Sequence, residues 1–152
     1  ALDYDGTYNL TGGTLIASGS SGMLQTPSSS STQNSISLTF NTAQTAGTSI
    51  SLQDANGQEI ASYTPSKAFQ NIIISMPDIQ TGSVYTLTKN GNELTTVTPS
   101  ASLTSISEDG SAYNGGMGGG PGNMGGPGGT QPGGSAPQDM QGGQPPQGMP
   151  GN

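Results

Sequence analysis

The chain contains no cysteine, no histidine, no tryptophan and no arginine, and its only cationic side chains are Lys67 and Lys89. Without cysteine there is no disulfide, no thiolate metal site and no thiol nucleophile. Without histidine, neither Ser-His nor Cys-His nucleophile pairs can be assembled, and the usual acid-base group for neutral pH is missing. Two lysines against nine acidic residues leave a net charge of −7. Such a chain has nothing to neutralise phosphates, which excludes nucleic acid and anionic lipid headgroups as partners. No apolar run approaches the roughly 20 residues of a membrane-spanning helix, so no direct membrane contact is expected.

Charged residues make up only 7% and hydrophobic residues 28% of the chain, with Ser, Thr, Asn and Gln filling much of the rest. That composition suits exposed sheets with neutral hydrogen-bonding faces, and it has the look of an exported bacterial surface protein. The 26 glycines and 11 prolines are concentrated towards the C-terminus. The foldable part is therefore shorter than the 152 residues of the whole.

Three segments follow. Residues 1–34 open with Tyr8 and Leu10, a Gly12-Gly13 corner, then Leu15 and Ile16. This spacing predicts one rung of a parallel β-solenoid, two short strands meeting where glycine permits a sharp bend. A lone rung cannot bury its own face, so the chain reads as the C-terminal piece of a longer polypeptide, with an upstream solenoid as its missing partner. Ser18 to Asn34 is polar and aperiodic, a loop leaving the rung in which Met23 and Leu24 fold back over its open end.

Residues 35–107 show short alternating runs, the signature of a half-buried antiparallel sheet. Ile36, Leu38 and Phe40 share one face of a strand, followed by Ile50 and Leu52, with Ile60 and Tyr63 on a return strand. Phe40, Tyr63 and Phe69 are core candidates. Asn56-Gly57 is the favoured pair where two residues need positive φ, which predicts a hairpin, and Asn90-Gly91 predicts a second. Ile72, Ile73 and Ile74 in succession predict a strand buried on both faces or central in its sheet. Ile79, Gly82, Tyr85 and Leu87 have the spacing of a tyrosine corner, in which the phenol bonds back to the preceding loop. With a last strand through Leu103 and Ile106, about seven strands give a small β-sandwich-like subdomain. Residues 108–152, rich in Gly, Pro, Met and Gln, bury too little apolar area to offset their ordering entropy and are expected to be a disordered tail, with Met117, Met124, Met140 and Met149 spaced along it. The fold class is all-β.

Carboxylates are the only catalytic candidates left, and each has a turn role: Asp5, Asp54 and Asp109 lie near glycines, and Glu59 and Glu93 start hairpin strands. We therefore expect no enzyme. Asp3 and Asp5, one residue apart beside Gly6, can offer oxygen ligands to calcium, or can simply be a solvated residue and a turn. Sugar binding needs a flat aromatic face with planar polar groups beside it. Tyr4 and Tyr8, flanked by Asp3, Asp5 and Asn9, meet that requirement better than the other rings.

The runs Ala1–Gly6, Thr11–Ala17, Gly19–Met23 and Gln33–Ser35, with the Gly-Gly-Met-Gly-Gly-Gly-Pro-Gly block, resemble the C-terminal part of bacterial carbohydrate-binding domain-containing proteins. These form a right-handed β-helix family of Clostridia and relatives. The resemblance extends from Ala1 to about Ile106 and the start of the tail. It implies a cell-surface or extracellular protein that binds acidic plant polysaccharide such as polygalacturonate, with calcium bridging carboxylates on protein and polymer. The alternative is a structural cap or adhesion segment without its own ligand site.

Overall fold

A computed structural model describes residues 2–22 and 24–114, so the predicted tail beyond 114 and Met23 lie outside the described residues. These residues form eight strands and no helix: β1 (Leu15–Gly19), β2 (Ser35–Gln44), β3 (Ile50–Gln53), β4 (Glu59–Tyr63), β5 (Phe69–Ser75), β6 (Tyr85–Lys89), β7 (Asn92–Val97) and β8 (Leu103–Ser107). They make two four-stranded sheets, ordered β1-β5-β2-β8 and β4-β3-β6-β7.

One apolar core joins the sheets. Ile36, Leu38 and Phe40 of β2 and Ile72 and Ile74 of β5 come from the first sheet; Ile50, Leu52, Leu87 and Val97 come from the second. Phe40 and Phe69 meet edge-to-face, with ring centroids 5.7 Å apart, a geometry in which the positive edge of one ring faces the negative face of the other. The period-2 alternation of β2 places these side chains inward and Ser35, Ser37 and Thr39 outward. The isoleucine triplet behaves as its sequence predicts: β5 is central, Ile72 and Ile74 join the core, and the fully buried Ile73 points to the other face.

The two Asn-Gly pairs form different turns. Asn90 and Gly91 both have positive φ, 51° and 79°, and close β6 onto β7 as a two-residue type I′ hairpin. At the other pair only Gly57 is positive, at 78°, and the loop runs from 54 to 58. The reason is Asp54. Its Oδ1 accepts the N–H groups of Asn56 and Gln58, each at 2.9 Å, which favours a longer capped turn over the two-residue one.

Three expectations need correction. The described residues show no parallel solenoid rung: Tyr8 to Leu10 is not a strand, and β1 pairs antiparallel with β5, Leu15 opposite Ser75 and Gly19 opposite Asn71. Joining β5 lets Ile16 pack on the shared core, so the first segment is part of the sandwich. The sheets are not wholly antiparallel, because β8 runs parallel to β2, with Ser35 opposite Leu103. Tyr63 is 38% exposed, since it ends the edge strand β4, whose buried side chain is Ala61.

Because β1 and β2 both pair antiparallel with β5, they are parallel to each other on either side of it. The chain from Ser20 to Asn34 must therefore cross β5, and with the core occupying the inner face it crosses the outer one. Burial agrees with this. Ser35, Ser37, Thr39, Asn71, Ile73 and Ser75, all outward by register, are at most 3% exposed. Leu10 and Leu24 are also buried yet lie outside the shared core.

Candidate functional site

The aromatic candidates Tyr4 and Tyr8 sit on a strap, residues 4–10, that runs alongside the crossover. Tyr4 N–H donates to Gln25 Oε1 at 2.8 Å and Gln25 Nε2 donates back to Tyr4 O at 3.0 Å. This two-point clip imitates a strand pair with one side chain. The Tyr4 hydroxyl donates to Thr26 O, Ser28 N–H to Tyr8 O at 2.8 Å, and Ser30 Oγ to Asn9 Oδ1 at 2.7 Å. Leu10 closes the strap: its N–H donates to Ser31 Oγ, and its carbonyl accepts from Thr32 and Gln33.

Held this way, the rings of Tyr4 and Tyr8 lie 5.5 Å apart between centroids and are tilted by 37°. Both are half-buried, while Asp3, Asp5 and Asn9 are exposed around them. Of the five residues singled out in the sequence, the structure brings the Tyr4 and Tyr8 rings together and leaves Asp3, Asp5 and Asn9 exposed on the same segment. It also gives two of them internal duties, the Tyr4 hydroxyl donating to Thr26 O and the Asn9 Oδ1 accepting from Ser30. The Tyr8 hydroxyl makes no hydrogen bond to another described residue.

Calcium takes six to eight oxygen ligands. Among the described residues no group of three or more Asp, Glu, His or Cys converges to hold a metal. Asp3 and Asp5 supply two carboxylates of such a set.

Comparison with known proteins gives no match, whether to family models, to curated proteins or to solved structures. Function must be argued from the geometry.

Two surface depressions add residues that the sequence did not point to. One, of about 380 Å³, lies between the β3–β4 turn and the β5–β6 loop and is lined by Asp54, Gln58, Asp78, Ser83 and Val84, among others. The other, of about 260 Å³, lies between Thr11-Gly12, Thr32 to Asn34 and the Pro77 to Gln80 loop. Gln80 lines both. The walls are fixed by identifiable bonds. The Tyr85 hydroxyl donates to Asp78 O and accepts from Gln80 N–H, both at 2.7 Å, the tyrosine corner predicted from the spacing. Asn34 Nδ2 donates to Ile79 O at 2.9 Å, tying the crossover to the same loop. The backbone N–H of Gln58 above all, and then that of Asn56, holds the Asp54 carboxyl below its ordinary value of 3.8, so it stays a carboxylate.

Asp54 was legible only as a turn residue and Asp78 drew no reading, since nothing local says that their loops meet. An alternation-breaking exposed Val84, 47% accessible, was the one available hint.

Proposed function

We propose that this segment is a noncatalytic carbohydrate-binding module of an exported bacterial surface protein, taking acidic plant polysaccharide such as polygalacturonate. The observation that carries this reading is the Tyr4–Tyr8 pair, two tilted rings on a clipped strap with Asp3, Asp5 and Asn9 exposed beside them. Rings pre-positioned in this way lose little freedom on contact with a sugar face. The chain's lack of histidine, cysteine and arginine leaves the reading noncatalytic.

An acidic polymer meets an acidic strap only through a cation. Calcium shared between Asp3, Asp5 and uronate carboxylates supplies that bridge, the polymer contributing the ligands the strap lacks. An upstream solenoid of the same polypeptide, as the family resemblance implies, would carry the remainder of the polymer's track.

Titration with polygalacturonate, followed by the emission of the five tyrosines in a chain without tryptophan, tests the reading. Binding is expected with calcium and is lost in chelator. Tyr8→Ala weakens it by about tenfold, equivalent to about 1.4 kcal/mol. A second reading, a structural cap or adhesion segment, is favoured by the Tyr4–Gln25 clip and the crossover, which commit much of the strap to covering the first sheet. Absence of binding in both conditions would select it.

A further inference from the structure

The depression between the β3–β4 turn and the β5–β6 loop has walls built like a binding site yet plays no part in the reading above. Its volume, about 380 Å³, lies at the small end of the range for ligand sites, about 300–1,000 Å³. Both walls are rigid for reasons already given, the Asp54 cap on one side and the Tyr85 corner on the other. Asp54 Oδ1 is spent on the cap, but other groups that the walls present are not used internally. The Asp78 carboxylate, the Gln58 amide and the Ser83 hydroxyl make no hydrogen bond to another described residue, although the backbones of all three do. Val84 adds one of the two large hydrophobic side chains exposed among the described residues.

We propose that this depression binds a neutral glycan, with Asp54 and Asp78 accepting hydrogen bonds from its hydroxyl groups and Val84 contacting an apolar C–H face. The chemistry narrows the ligand class. Carboxylates accept two hydrogen bonds from adjacent hydroxyls, and bonds to charged acceptors are the stronger ones. Gln58 and Ser83 supply the complementary donors that a polyol also needs. No lysine or arginine lines either depression, so a uronate would bring its negative charge against two others without compensation. The ligand is chain-like, because Gln80 is shared with the second depression, which continues the surface towards Thr11 and Gly12. This site is separate in residues and in ligand charge from the Tyr4–Tyr8 strap, and it stands or falls independently of it.

The experiment is a titration of the isotopically labelled chain, in chelator, with cellohexaose, xylohexaose and mannohexaose in turn, followed by amide shifts in nuclear magnetic resonance. At least one is expected to shift Gln58, Asp78, Ser83 and Val84 saturably at millimolar concentration. Asp78→Asn keeps the side-chain shape and the backbone carbonyl of the tyrosine corner, and it weakens that binding by about tenfold. Tyr8→Ala leaves the binding unchanged. The proposal is overturned if no hexasaccharide moves those amides, or if Asp78→Asn binds as tightly as the parent. It is also overturned if calcium alone produces the same shifts while the glycans produce none, which would make the depression a cation site.

Discussion

The two sheets face outward in different ways. On the first, the central strands β2 and β5 present Ser35, Ser37, Thr39, Asn71, Ile73 and Ser75, nearly all of them inaccessible to water. On the second, Ser51 and Thr88 are buried and share a 2.7 Å hydrogen bond, but Ser62 and Thr96 beside them are exposed and Thr86 is half-exposed. Apart from Ile73, the outward side chains named on both sheets are hydroxyl or amide groups, so composition alone does not set the difference. Connectivity does, because a crossover between parallel strands has to lie over one of the sheets, whereas hairpins leave a face open. A hydroxyl-rich face that is buried must find hydrogen bonds within itself, and the first sheet finds most of them through the amide nitrogen of Asn71, leaving Asn71 Oδ1 and Ser35 Oγ without partners. The Asn71 Nδ2 lies within 3.0 Å of Ser37 Oγ, Leu38 O and Thr39 Oγ1.

The largest effects should come from breaking that covered face. Asn71→Ala strands the buried acceptors that share its two amide protons and also removes the unpartnered Oδ1, so it is expected to destabilise by about 2–3 kcal/mol. Ile73→Ala should cost about 2–4 kcal/mol through the cavity it leaves. At an outward position of the open face, the half-exposed Thr86, the change Thr86→Ala should stay within about 0.5 kcal/mol. Chemical denaturation of the three variants measures the contrast, and equal losses at Ile73 and Thr86 would mean that the crossover does not seal the first sheet.

A finer pair lies within the covered face. Ser75 Oγ donates to Asn34 O and accepts from Gln33 Nε2, both at 2.8 Å. Ser35 Oγ is buried with no partner. Ser75→Ala should therefore cost about 1–2 kcal/mol, while Ser35→Ala should be neutral or stabilising, because it removes an unpaired polar atom from a dry site. The same denaturation measurement decides it, and a substantial loss at Ser35 would show that its hydroxyl has a partner after all.

What was legible in the sequence divides along the same line. Features set by neighbours in the chain could be read: the Ile72–Ile74 run as a central strand, the Asn90-Gly91 hairpin, the Tyr85 corner. Features set by distant pairing could not. Nothing near Leu15 says that it lies opposite Ser75, and nothing near Leu103 says that β8 runs parallel to β2. Even the local Asn56-Gly57 signal was displaced by a carboxylate two residues away. The five candidate residues were readable as a cluster because they fall within residues 3–9, whereas the depression joining Asp54 to Asp78 depends on two loops that only the fold brings together.

The smallest expected effect tests whether the contrast between sheets extends beyond their faces. Each sheet carries one exposed turn closed by an aspartate: Asp54 after β3, held below its ordinary value first by the Gln58 N–H, and Asp109 after β8, held below it first by the Ser111 hydroxyl. For a carboxyl whose value is lowered by folding, the stabilising contribution is fully present above the unfolded value, about 3.8, and is lost as pH falls through the lower folded value. Asp54→Asn and Asp109→Asn should each remove that small contribution at neutral pH, leave stability nearly unchanged well below about pH 4, and so flatten the acid limb of the profile. Both carboxylates are solvent-exposed, so the two variants should flatten it alike, even though one belongs to the covered sheet and the other to the open one. A clear inequality in acid-unfolding midpoints would show that the covering of the first sheet reaches its turns; equality confines the difference to the faces that the crossover and hairpins leave buried or bare.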